Sequence, residues 1–273
     1  MLVIAPIVVI AISVFVGLLL SMSNEAAKTQ LENKSVYKVQ DALDTIERDV
    51  RLTSRFLAGN EFYVARWQKY NYDGTTGPTN SYTNIGPRGN MLILRTVTTD
   101  RNPLNPDRML VYNNDAPVGD SNPRDDPVCA PDKLLTNSFN TVNIVYFVRD
   151  IGDGKNSLWR RVLVNSNDST CLTGAWQKGS CSPTTTDSEC PAKDIRLVDD
   201  VSNFTIDYYL DSNSSSPHAV PTNPAHSGDT REAYMKSMNA VNVSITANST
   251  VGGKPVEHTA SIRTARMNVP QSD

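Results

Sequence analysis

The chain has 273 residues, a net charge of −3 and a pI near 5.7, with 39% hydrophobic and 7% aromatic residues. That length gives room for one large domain or two small ones, and the weak acidic balance speaks against constitutive nucleic-acid binding. Four cysteines, Cys129, Cys171, Cys181 and Cys190, are separated by forty-one, nine and eight residues. None of these spacings is the C-x₂-C of a zinc site, and an even number in loop-like surroundings implies two disulfides and an oxidising compartment.

The first segment, MLVIAPIVVIAISVFVGLLLSM, is uncharged over twenty-two residues. It is too long for the core of a signal peptide and has no basic stretch before it. Its length suits a membrane span, although the flanking Lys/Arg that set orientation are missing on its N-terminal side. A short basic leader cut off at Met1 is the economical expectation. The segment 1–24 is therefore expected to be an apolar helix half.

Residues 25–58 continue without Pro, and Val36, Val39, Leu43, Ile46, Val50, Thr53 and Leu57 recur at steps of three and four. This is one apolar stripe of a helix, with Gln40, Asp44, Glu47, Arg48 and Arg51 turned elsewhere. Read together, 1–58 predict one helix of about 85 Å at about 1.5 Å per residue. Gly17 and the Ser21/Ser23/Asn24 patch mark a possible bend, and Ala58-Gly59-Asn60 supplies a stop. Val36, Val39, Leu43, Ile46, Val50 and Leu57 are the expected contacts to the body.

From residue 60 to 273 the period changes to two. Strands are expected at 91–98 and 108–112, then a hairpin in VNIVYFVRDIGDGKNSLWRRVLV with its turn near Gly152–Gly154. Further strands follow in FTIDYYL, which places Phe204, Ile206, Tyr208 and Leu210 on one face, and in AVNVSITA with Val241, Val243, Ile245 and Ala247. A final strand spans about 256–268. Long loops rich in Pro, Gly, Asn, Ser and Asp separate them at 71–90, 113–133, 165–192 and 211–230. The fold class is α+β, an N-terminal helix packed through its stripe on an antiparallel sheet body.

Chemistry is sparse. His218 and His226 share a loop but lack further ligands, and His258 stands apart. The acidic pairs Asp125-Asp126, with Asp120, and Asp150-x-x-Asp153 miss the calcium-loop spacing, so turn chemistry accounts for them. There is no G-x-S-x-G, P-loop or H-E-x-x-H. The expectation is no enzyme, no catalytic residue, no cofactor and no metal. Arg160 and Arg161 beside Trp159 have the chemistry to touch DNA, but strand alternation sends one of them inward or to an edge, which favours a structural role. Six N-x-[ST] sequons, at Asn33, Asn167, Asn203, Asn213, Asn242 and Asn248, are within reach of chance in so Asn/Ser/Thr-rich a chain.

The ordered set of pieces resembles type IV pilins and secretion pseudopilins. YKVQDALDTIERDVRLTSRFL is similar to the ALxRIExDLRxA helix of W-type minor pilins and J-type minor pseudopilins. IVYFVRDIGDGKNSLWRR is similar to their VxYxxD…GxLxRR hairpin, and NAVNVSITA…HTASIRTARMNV to their terminal strands. The head also resembles pilins of ultrasmall host-attached bacteria. The resemblance implies a structural subunit of an extracellular pilus serving adhesion, motility or DNA uptake. The alternatives are a minor pseudopilin of a type II-like secretion system and a membrane-anchored monomeric surface-binding protein.

It also implies partners: a prepilin peptidase that cuts before Met1, N-methylation of the new terminus, a platform protein, an assembly ATPase, other minor pilins and further copies of the chain in a helical filament. The subunit would wait in the cytoplasmic membrane and then leave it for the filament, where host surface or DNA is a possible target. The filament core would hold Met1, Leu2, Val3, Ile4, Ala5, Pro6, Ile7, Ile10, Val14, Phe15, Leu18 and Leu19. The family usually has Glu where this chain has Ala5, which puts a main-shaft role in doubt. The hairpin places Cys129 and Cys171 at one end, and CSPTTTDSEC suits a closed turn, so the expected disulfides are Cys129–Cys171 and Cys181–Cys190.

Overall fold

A computed structural model describes residues 4–57, 91–97, 141–150, 154–163, 179–183, 192–218, 234–251 and 254–267. Within these, the side chains of residues 4–12, 24, 27, 28, 31, 97, 141, 251, 254 and 255 are left aside. The expected strand at 108–112, the loops at 71–90 and 113–133, and three of the four cysteines lie outside the described residues.

Helix α1 runs unbroken over Ile4–Arg51, straight through Gly17 and the Ser21/Ser23/Asn24 patch where a bend was expected. It ends seven residues earlier than 58. Arg48 and Arg51 stand in its last turn, where cations face the negative end of the helix dipole. After Leu52 the chain turns into strand β1 (Thr53–Phe56), so Thr53 and Leu57 do not belong to the helical stripe. β1 is held by antiparallel pairing of Arg55 with Arg95 and of Phe56 with Leu94 on β2 (Met91–Val97). That pairing satisfies backbone groups on the β2 edge that would otherwise be left to other partners.

The hairpin forms as β3 (Thr141–Asp150) and β4 (Asn156–Leu163), paired from Asn143–Leu163 to Asp150–Asn156. Gly154, at φ 73°, supplies the left-handed residue next to its turn. Two short strands, β5 (Ser180–Cys181) and β6 (Ala192–Lys193), pair in parallel. β7 (Ile195–Val198), β8 (Val201–Tyr209), β9 (Ala240–Val251) and β10 (Lys254–Ala265) complete the order. β1-β2-β3-β4-β7 form a five-stranded antiparallel sheet and β10-β9-β8 a three-stranded one. The protein is thus α+β with antiparallel sheets.

The corner between the sheets is the Asp199–Asp200 turn. Asp200 adopts φ 53°, an accessible conformation for Asp, and its carbonyl accepts the Asn248 N–H at 2.7 Å. The second half of α1 touches β10, β9, β7 and β2. Val39, Ala42, Leu43, Ile46 and Val50 are buried there with Leu92, Leu94, Ile144, Tyr146, Leu158, Phe204, Ile206, Val241, Val243 and Ile245. Val36 differs from its expected role: it is 46% exposed. Leu210, expected on the buried face with Phe204, is also exposed, because β8 ends at Tyr209.

Leu57 is buried, but on the far face of the five-stranded sheet with Ile93, Val145, Phe147, Trp159 and Leu163. That sheet is therefore covered on both faces, which explains the unbroken buried run of β4. Leu43→Ala should cost about 2–5 kcal/mol, because its fully buried side chain leaves a cavity. Asp44→Ala, removing a partly exposed carboxylate, should cost under about 0.5 kcal/mol. Urea unfolding of the two variants reads the contrast, and equal losses would reject the packed stripe.

Candidate functional site: the exposed half of the helix and its clamp

α1 divides at Lys38. From Ser13 to Ser23 every residue of the helix is exposed. Val14, Phe15, Val16, Leu18, Leu19, Leu20 and Met22 are between 46% and 67% exposed, on all sides of the helix. With about half to two thirds of each side chain in water, the seven forgo on the order of 5–15 kcal/mol of burial, at roughly 1.5–3 kcal/mol for a fully buried side chain. That is comparable with the whole stability of a domain, about 5–15 kcal/mol, so the segment requires a covering that the described part of this chain does not supply. Among the described residues, no helix is long and apolar enough to cross a membrane.

Of the expected core positions, Val14, Phe15, Leu18 and Leu19 are thus on the exposed surface. Ile4, Ala5, Pro6, Ile7 and Ile10 lie in α1, while Met1, Leu2 and Val3 are outside the described residues. Tyr37, at 73%, extends the exposed surface toward the body.

Where the helix meets the body it is pinned by charge. Asp49 lies in the buried stripe between Ile46 and Val50. Its Oδ2 accepts from Arg160 Nε at 2.8 Å and from the Tyr146 hydroxyl, with all three groups buried. Burial, reinforced by the Asp49 charge, raises the Tyr146 phenol well above its ordinary range. Burial works to lower the Arg160 guanidinium, but Asp49 outweighs it and Arg160 is held more firmly charged than usual. The triad joins the helix to both strands of the β3–β4 hairpin.

Arg161, next along β4, points to the opposite face. It makes a two-pronged bond to Asp194, Nε to Oδ1 at 3.0 Å and Nη2 to Oδ2 at 2.6 Å, and Ser180 donates to the same carboxylate at 2.9 Å. Its guanidinium also lies 5.2 Å from the centre of the Phe147 ring. Alternation was expected to send one of the two arginines inward or to a strand edge. Both are buried, because both sheet faces are covered, and neither they nor the buried Trp159 is placed to touch DNA.

A further tie between helix and body is at the surface. Lys38 Nζ bonds Asp199 Oδ2 at 2.6 Å, with Arg196 Nε 2.9 Å from Oδ1. Burial acts to raise the Asp199 carboxyl, but the hydrogen bond and charge of Lys38, followed by the charges of Arg196 and Lys155, hold it below the usual range.

Among the described residues, the remaining titratable groups sit as follows. His218 stacks on Tyr234 at 5.1 Å and its carbonyl accepts the Tyr234 hydroxyl at 2.7 Å. Burial raises Tyr234 to about 12. His258 sits on β10, Asp150 is exposed at the end of β3, and Asp120, Asp125, Asp126, Asp153 and His226 lie outside the described residues. No group of metal-ligating side chains occurs among the described residues. Cys181 is disulfide-bonded and its Sγ lies 3.7 Å from the Ala192 carbonyl. Cys129, Cys171 and Cys190 are outside the described residues, so neither expected pairing is seen directly.

Sequence reasoning missed Asp49, since a search for an apolar stripe passes over a carboxylate inside it. Two signals pointed to it: its spacing of three from Ile46, and the double arginine on the facing strand. The chain matches no family model, no curated protein and no solved structure.

Asp49→Ala strands a buried guanidinium and should cost about 3–5 kcal/mol, whereas replacing both Asp49 and Arg160 by Leu and Met should recover most of that loss. Unfolding of the single and double variants decides it. The Asp199 tie has the opposite locality and a pH signature. Its folded-state carboxyl lies below the unfolded value near about 3.9, so its contribution is present above that value and lost as pH falls through the lowered one. Asp199→Asn should therefore make stability fall less steeply as pH is lowered below about 4. An unchanged acid limb in denaturant titrations would deny the tie any part in stability.

Proposed function

We propose that this protein is a structural subunit of an extracellular filament of the type IV pilus kind, assembling through the apolar half of α1. The observation that carries the reading is the helix surface at Ser13–Met22, apolar on every side and bare. An apolar surface facing all directions suits a position surrounded by like helices or by lipid, rather than a groove-binding role that uses one face. The resemblance of the helix and hairpin sequences to minor pilins and pseudopilins supports the same assignment.

On this reading residues 1–24 lie in the cytoplasmic membrane before assembly and in the filament core afterward, so that assembly exchanges one apolar environment for another. The body projects from the core, with the helix from Val39 onward built into it. Ala5 in place of the family's Glu favours a minor or tip-proximal position over the main shaft. No reaction is assigned to the chain.

The reading is tested by separating the two halves. A chain beginning at Lys28 should be monomeric in sedimentation and unfold cooperatively, since the buried stripe begins at Val39. The full chain should appear in surface filaments by immunogold electron microscopy. Phe15→Asp or Leu19→Asp in the full chain should abolish that labelling while leaving the melting of its body unaltered. Filaments that form normally with a charge at Phe15 or Leu19 would reject the assignment.

A further inference from the structure

Five of the six sequons fall within the described residues, and the fold separates them. Asn33 is on α1, Asn203 on β8, and Asn242 and Asn248 on β9. In each of these the acceptor backbone is committed to helical or strand hydrogen bonds. Transfer of a glycan requires the tripeptide to lie open in an enzyme's cleft with the Asn amide and the Ser/Thr hydroxyl both accessible. Asn213-Ser214-Ser215 alone of the five lies outside helix and strand, in a segment where Leu210 to His218 are exposed apart from half-buried Ser214.

The local geometry adds to this. Asp211 Oδ1 accepts the Asn213 N–H at 2.7 Å, an Asx turn that presents Asn213 at the tip. The turn is fastened from below by Arg263, whose Nη2 donates to the Ser214 carbonyl at 2.6 Å and to the Asp211 carbonyl at 3.3 Å while its guanidinium lies 3.8 Å from the centre of the Tyr209 ring. The Asn213 carboxamide has no hydrogen-bond partner among the described residues. Asp211 also makes this the one sequon of the six with a carboxylate two places before the Asn; the others have Leu31, Asn165, Val201, Ala240 and Thr246 there. A carboxylate at that place offers a cationic side chain of a transferase a second contact.

We infer that Asn213 is an N-glycan acceptor, modified on the folded chain by an oligosaccharyltransferase that reads Asp211, Asn213 and Ser215. The sugar donor is an oligosaccharide linked through its C1 oxygen to a polyprenyl diphosphate. Asn213 Nδ2 attacks C1, the C1–O bond breaks as the C1–N bond forms, the polyprenyl diphosphate departs with the bonding pair, and the amide proton passes to a base of the transferase. The disulfide at Cys181 places the chain in the oxidising compartment where such donors face. The inference requires that compartment and not the filament reading.

The test is glycopeptide mapping of full-length protein recovered from the cells that make it, by electron-transfer fragmentation of the tryptic peptide 197–231, which carries Asn203 and Asn213. The expected result is a hexose- or N-acetylhexosamine-containing mass increment on Asn213. It should be lost in Asn213→Gln and in Ser215→Ala and reduced in Asp211→Asn, which keeps the oxygen that shapes the turn but removes the charge. Circular dichroism melting of each variant checks that the fold persists. An unmodified Asn213 in the wild-type chain overturns the inference, as does a glycan confined to Asn33, Asn203, Asn242 or Asn248.

Discussion

The contact on which the rest of the structure depends is the buried bond set of Asp49, Arg160 and Tyr146. The apolar stripe that seats the helix, Val39, Leu43, Ile46 and Val50, repeats at four, three and four residues. Such a stripe superposes on itself after a slide of seven, with Val39 arriving where Ile46 was and Leu43 where Val50 was. Hydrophobic burial is non-directional and barely distinguishes the two seatings. The charge does distinguish them. A slide of one repeat brings Ala42 to the place of Asp49 and leaves two charges buried apart, at a cost of several kcal/mol. Fixing register is the best-attested use of a buried polar group in helical packing.

Register matters because the helix does two jobs along its length. Thr45 and Thr53, one turn to either side of Asp49, are also buried, but each hydroxyl bonds a carbonyl four residues earlier, Asp41 and Asp49. Thr53 pairs with Thr96 in the sheet and the Thr45 carbonyl lies 3.5 Å from the Tyr146 hydroxyl, but of these three side chains it is the Asp49 carboxylate that bonds the hairpin. The body is then closed from the other end: Met267 N–H donates to the Arg51 carbonyl at 3.2 Å, and Arg266 donates to the Ser54 carbonyl and to Asn239. The start of β1 and the end of β10 thus meet at the C-terminus of α1.

Much of this was legible in the sequence, for physical reasons that differ by element. The β3–β4 hairpin was readable because its strands and its Gly/Asp turn agree with one another. β9 was readable because it buries one face only, and alternation is the signature of that condition. β4 broke the pattern for the opposite reason: covered on both faces, it buries Trp159, Arg160 and Arg161 in succession, and no alternation rule can sort them. β1 was hidden because Leu52 to Phe56 contain neither Gly nor Pro, so the stripe ran on through Thr53 and Leu57 at helical spacing. Only pairing with β2, a partner forty residues away, turned that segment into strand. The exposed stretch from Ser13 to Ser23 was legible as apolar, since a run without charged residues leaves no strongly hydrated face.

The same clamp constrains any load that passes between the two halves of the helix. A pull along α1 shears the stripe past the sheet, and apolar side chains sliding over one another exchange contacts at little cost. The triad has no such continuous path, because its bonds have fixed donors and acceptors and no water to take their place. The surface tie of Lys38 to Asp199 lies in the same direction but is half exposed, where solvent replaces the lost partner and salt screens the pair. Resistance to sliding is therefore concentrated at Asp49, two residues before the helix ends. The uncharged half of α1 is left to be held by its surroundings, and the charged half holds the body in a single register.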